Sequence, residues 1–211
     1  MTKSEAAYAV LRERILAGDL APGRVLQQRE LAVELGISTT PLREALRRLL
    51  TEGLVELDSH RDARIPELRA EQARDLLELR SALDPLAASL AAERRTSDDL
   101  ARMRAALDEL EPLAQDPDAE HLAAHRAFHR AIHAASHNAL LVASLEQLWD
   151  QSDRYRRFAL SDGEGPLPHK AEEHRALVDA IADRDAETAA SVMRAHIGTS
   201  LGARAVRRLG Q

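Results

Sequence analysis

LAVELGISTTPLREALRRLLTEGLV, residues 31–55, reads as two short helices joined by a tight turn and followed by a strand. Leu31, Ala32, Leu35 and Ile37 recur at helical spacing, and Gly36 ends the first helix. Ser38 suits the N-cap of the next helix and Pro41 its first turn. Leu42, Ala45, Leu46, Leu49 and Leu50 then mark one buried face, with Arg43, Arg47 and Arg48 lying off it. Two amphipathic helices of an ordinary bundle would carry the same stripe. A helix-turn-helix adds a function for the arginines, because its second helix enters the major groove of DNA.

The surrounding residues favour the second alternative. Tyr8, Leu11, Ile15 and Gly18 outline a preceding helix, Asp19-Leu-Ala-Pro-Gly23 turns the chain, and Val25-Leu26 leads into Gln28-Arg-Glu-Leu31. Beyond Gly53, Leu54–Leu57 and Ala63–Ile65 read as two strands of a hairpin wing, which Pro66 stops. In this ordered series of caps, glycines and core positions, residues 8–57 resemble the winged-helix repressors of the GntR family. The resemblance implies that Arg29, Ser38, Thr39, Thr40 and Arg43 carry DNA contacts, and that His60 and Arg61 in the wing reach the minor groove. Two positions depart from the family pattern. Thr39 stands where an arginine is usual, and Asp62 where the wing turn usually has glycine, so an altered base preference is expected.

Composition bounds the remainder. Aromatic residues are 2% of the 211, so the core must be built from Leu, Ala, Val and Ile in a helix-rich chain. With no cysteine there is neither a disulfide framework nor thiolate chemistry. No signal peptide is legible, and no run approaches the roughly 20 apolar residues that span a bilayer, so a cytoplasmic protein with no membrane partner is expected. The net charge of −6 lies wholly beyond residue 65: residues 1–65 hold 10 basic and 10 acidic side chains, the remainder 19 and 25. A neutral first part with arginines gathered on one helix is compatible with salt-sensitive phosphate binding.

The expected organisation is a DNA-binding domain over residues 1–66, a linker over 67–72 and a helical domain over 73–211. The fold class is mainly α: a winged helix-turn-helix with a small β-wing, then an antiparallel six-helix bundle. The six helices are expected from about Glu71 (with Pro85 kinking the first), from Ser97 as a cap, and over about Asp118–His137, Ala139–Leu160, His169–Asp183 and Asp185 to the C-terminus.

Five of the nine histidines, His121, His125, His129, His133 and His137, recur every fourth residue on the third of these helices. Each step of four advances the position by about 40° around the helix, so neighbouring pairs can share an ion but all five cannot. The order Phe128-His129, Glu173-His174, Met193-Arg-Ala-His196 resembles the acid-sensing helical (FCD) domain of the FadR-type branch of the GntR family, and six helices with a short linker are most similar to its VanR-like subgroup. That resemblance implies His129, His174 and His196 as ligands of a divalent metal. His125 stands where the family has Asp or Asn. As a fourth ligand it would complete an all-imidazole shell suited to zinc or nickel; alternatively it points away and water completes the shell. Arg80 matches an arginine near the effector pocket of similar proteins, and Arg154 and Arg156 are further candidates for its lining, Arg154 being the one carried forward with Arg80 for binding a small carboxylic acid.

The expected protein is a ligand-responsive regulator, a repressor, acting as a homodimer on a pseudo-palindromic double-stranded operator. Three alternatives are weighed: a metalloregulator in which the ion is the signal, a metal-dependent hydrolase, and a DNA-binding protein with a purely structural helical domain, against which the three family histidines speak. The hydrolase lacks an HExxH arrangement and leaves the winged helix without a purpose.

Overall fold

The computed structural model describes residues 1–57, 63–110, 119–160 and 170–210. It divides into two compact units, Met1–Leu68 and Arg69–Gln211.

In the first unit, α1 (Lys3–Ala17) is opened by a capping box in which Thr2 and Glu5 exchange hydrogen bonds, and Gly18 closes it at φ 85°. Helices α2 (Gln28–Glu34) and α3 (Thr39–Thr51) follow, with Gly36 between them at φ 63°. Ser38 occupies the N-cap of α3, yet its side chain makes no capping hydrogen bond, unlike Thr2. Leu42, Ala45, Leu46 and Leu49 face a core shared with Leu11, Ile15 and Leu20. The wing is a three-stranded antiparallel sheet rather than a two-stranded hairpin. β3 (Ala63–Arg64) lies between β1 (Val25–Leu26) and β2 (Glu56–Leu57), in the register Val25↔Arg64 and Glu56↔Arg64. Val25-Leu26 lies far from Ala63 in sequence, and two residues carry no periodicity by which a strand could be recognised. The wing turn with His60, Arg61 and Asp62 lies outside the described residues.

The second unit is helical throughout its described residues: α4 (Ala70–Arg94), α5 (Ser97–Leu110), α6 (Ala119–Ala135), α7 (Ala139–Leu160), α8 (Lys170–Ala182), α9 (Ala186–Gly198) and α10 (Leu201–Leu209). α4 begins at Ala70, inside the stretch expected as linker, and continues through Pro85. α5 is capped by Thr96 rather than Ser97: the Asp99 amide donates to Thr96 Oγ1 at 3.1 Å and the Thr96 amide donates back to Asp99 Oδ2 at 2.8 Å. The C-terminal segment expected as one helix is two, because Ser200 starts a new turn by accepting from the Ala203 amide. The helix count behind the VanR-like assignment is therefore seven among the described residues. Phe128, Ile132, Met103, Leu177, Ile181 and Met193 form a core gathered from α5, α6, α8 and α9. It holds the inner faces of α6, α8 and α9 together, and these faces carry the histidines. No helix among the described residues is long and apolar enough to cross a membrane.

Candidate functional site

Apolar periodicity turns one side of α6 inward, and the i,i+4 repeat carries His125 and His129 with it. His174 on α8 and His196 on α9 arrive at the same point. One ring nitrogen from each of the four lies within 4.8 Å of the others. His129, His174 and His196 are buried, with His125 less so.

Burial, and the mutual repulsion of the rings if charged, keeps all four neutral, the form in which imidazole has a lone pair to donate. Burial and then Arg156 hold His125 well below its ordinary value, burial and then His196 do the same to His129, and His174 is pulled down to about 2. His196 is also lowered by burial, with Glu173 acting in the opposite sense. Glu173 Oε2 lies 2.8 Å from His196 Nδ1, which fixes that ring as the Nδ1–H tautomer and turns its Nε2 lone pair toward His129 Nε2, 3.2 Å away. Lys170 steadies the carboxylate at 2.6 Å and donates to the His196 carbonyl at 3.0 Å. Against the raising effect of burial, the bonds from His196 and Lys170 bring Glu173 down to about 2. Glu173 is thus committed to orienting a histidine and is not a free general base.

Buried His129 Nδ1 and His174 Nε2 have no hydrogen-bond partner among the described residues. These two rings each keep a nitrogen that no side chain of the described residues engages. The donor set fits a late divalent ion.

The other histidines of α6 are engaged elsewhere. His133 Nε2 donates to Asp84 Oδ1 at 3.0 Å, and His137 Nε2 lies 2.8 Å from Asp99 Oδ2. Buried Asp84 also accepts from Arg80 Nε at 3.1 Å. Burial alone would raise its pKa, but Arg80 and His133 outweigh it and hold the carboxyl well below the usual range. Asp84, His129 and His133 converge as a second potential donor group.

Arg80 is buried, bound to Asp84, and stacked 4.0 Å over the ring of Trp149. Arg154 is buried on α7. Arg156 is the residue in contact with the histidines. Its guanidinium donates to His125 Nδ1 at 2.8 Å and to Asp153 at 2.8 Å, and lies 4.9 Å from the centre of Trp149. Burial lowers its pKa to about 10, so it remains a cation at neutral pH. The four-residue spacing Ser152–Arg156 on an inward-facing helix was the available signal for it. Trp149 carried none, being a lone aromatic.

In the first unit, Arg29, Ser38, Thr40 and Arg43 are exposed and Thr39 is half-buried. Arg43 Nε donates to Gln28 at 3.1 Å, so the start of α3 is joined to the start of α2 beside Arg29. Two arginines and three hydroxyls thus lie at the starts of two joined helices, a combination suited to phosphate and base-edge contacts. Arg48 is used differently: it stacks 3.7 Å over Tyr8 and pairs with Glu52, to which Tyr8 also donates at 2.8 Å. It fastens α1 to α3.

Two family models match the chain. Bacterial regulatory proteins of the gntR family match residues 3–65, and the FCD domain matches residues 75–199. The chain belongs to the GntR family. Among its relatives are the Nta operon transcriptional regulator of Aminobacter aminovorans, 33% identical over 83% of this chain and 82% of that protein, and the galactonate operon transcriptional repressor of Escherichia coli, 28% identical over 90% and 91%. The solved structure of E. coli McbR/YncC superposes with a TM-score of 0.81 at 26% identity, covering 100% of this chain and 98% of that one. This GntR-family protein is a transcriptional regulator and not an enzyme. Regulators of the family bind DNA operators and typically dimerise.

Proposed function

We propose that this GntR-family protein is a repressor whose helical unit binds a divalent metal, zinc or nickel, through His125, His129, His174 and His196, together with a small organic acid. A homodimer would bind a pseudo-palindromic operator through Arg29, Ser38, Thr39, Thr40 and Arg43, with His60 and Arg61 in the wing. Acid binding would shift the balance between DNA-competent and released forms, to the extent that the acid prefers one of them. The observation that carries this reading is the convergence of four neutral ring nitrogens within 4.8 Å from α6, α8 and α9. Arg80 and Arg154 supply buried positive charge in the same unit. Arg80, which also holds Asp84, and Arg154 are the proposed contacts of the acid.

Elemental analysis of untagged protein and of His129→Ala tests the metal. About one late transition ion per chain, lost in the variant, is expected. Operator fragments selected in vitro by the purified protein then report release by carboxylic acids. Affinity that is constant across all acids and unaffected by metal removal would overturn the reading.

A further inference from the structure

The ion pairs around the histidines close on themselves. Arg126 bonds Glu146, Asp150 and Asp153, Arg130 bonds Glu146, and Arg156 bonds Asp153. Arg80 is matched by Asp84, and Lys170 by Glu173. Among these contacts each carboxylate is therefore already offset by a cation. The four imidazoles are neutral donors, so the double positive charge of a divalent ion would have no counter-charge from the ligand set. In a buried site such an imbalance is costly, and a bound anion would remove it.

Two donors stand beside the imidazoles. Trp149 is 2% exposed, and its indole N–H has no hydrogen-bond partner among the described residues. Its ring lies 5.7 Å from that of His125 and 5.0 Å from that of His129. The other donor is Arg156. A neutral imidazole has one lone pair, and that of His125 is used at Nδ1 to accept from Arg156. His125 can become a metal ligand only when Arg156 lets go of it, and the guanidinium edge that is then released must find another acceptor.

Resting on the proposed metal- and acid-binding reading, we propose that the effector is a dicarboxylate, and that the Arg156 guanidinium with the Trp149 indole N–H holds one of its two carboxylates. Two negative charges match the uncompensated double charge, whereas a monocarboxylate leaves half of it. A planar guanidinium released from an imidazole takes a carboxylate edge-on.

The chain has one tryptophan, so its emission reports the site directly. Zinc-loaded full-length protein is titrated with malonate, succinate and glutarate, and with propionate, butyrate and valerate as chain-matched monoacids, following fluorescence and calorimetric heat. At least one diacid should bind about tenfold or more tightly than its monoacid and perturb Trp149 emission, a preference worth about 1.4 kcal/mol. Arg156→Gln should erase the preference while zinc still binds. Arg156→Lys, which keeps the charge without the fork, should retain part of it and acts as the control for folding. Zinc affinity without acid is measured on all three, and should rise in Arg156→Gln as His125 is set free. Equal binding of mono- and diacids overturns the dicarboxylate seat and leaves the acid-binding reading standing. A preference that survives in Arg156→Gln removes Arg156 from the seat. No binding of any acid to zinc-loaded protein overturns the acid-binding reading itself, and this inference with it.

Discussion

The two units are stabilised by opposite means. The winged-helix unit buries no polar or charged side chain among its described residues: Leu11, Leu42, Leu49 and Leu54 form an aliphatic core, and its charges are at or near the surface. Among its described residues the helical unit buries fourteen polar or charged side chains, including Arg80, Asp84, Arg156, Lys170 and three of the cluster histidines. Buried polar groups add little net stability even when fully paired, and are costly when a partner is removed. A unit that only presents a surface to DNA can rest on apolar packing. The helical unit carries its polar chemistry inside, where the proposed ion and anion would be recognised, and its integrity depends on pairing.

That contrast can be broken by substitution. Asp84→Ala leaves Arg80 and His133 without their shared buried acceptor and should cost about 3–5 kcal/mol, followed through Trp149 emission in urea. A cost below about 1 kcal/mol would show that Arg80 re-pairs freely and that the polar interior is looser than its distances suggest. Leu49→Ala, at 0% exposed, should cost about 3 kcal/mol of the winged-helix unit through its cavity, with metal content unchanged. Loss of metal in that variant would couple the units in a way the contrast does not allow.

The pH response sharpens the same difference. In the metal-free protein His129, His174 and His196 have folded pKa values below their unfolded value near 6.5. Below that pH the unfolded chain binds more protons, so the helical unit should lose stability as pH falls from about 6.5, whereas Asp84 and Glu173 add losses only below about 4. With chelator present, Trp149 should report a melting temperature that drops between pH 7 and 5. Amide exchange in α1 and α3 should change little over the same range, and a parallel drop there would contradict the division of labour. The smallest effects separate two arginines of α3. Arg43→Ala should leave stability within about 0.5 kcal/mol and lower the salt slope of DNA binding by about 1. Arg48→Ala should cost about 1 kcal/mol with the salt slope retained, because it loses the face of Tyr8 and the Glu52 pair.

The same contrast explains what the sequence disclosed. Local features were legible: the α3 stripe, Gly18 and Gly36 as helix ends, and the i,i+4 repeat that brings His125 and His129 to one face. His174 and His196 could be named beside them only through family resemblance, since nothing local ties α8 and α9 to α6. Non-local features were not legible. β1 pairs across a long stretch of chain, the Arg80–Asp84 spacing did not disclose that His133 shares the carboxylate from another helix, and Arg156 meets His125 only once α6 and α7 pack. Ser97 looked like the cap of α5 because serine caps well, but Thr96 with Asp99 makes a reciprocal pair that a single-residue preference does not weigh. The break before α10 follows from Ser200 acting as a cap within a stretch otherwise rich in helix formers.

The histidine cluster also has a topological meaning. His129 and His196 are 67 residues apart in the chain and 3.2 Å apart in space. An ion held between them would close that long loop as a disulfide does, removing unfolded conformations worth roughly 4 kcal/mol in the chain-entropy account. A protein without cysteine would thereby have a removable cross-link, and the lifetime of its helical unit would be set by the rate at which that ion departs.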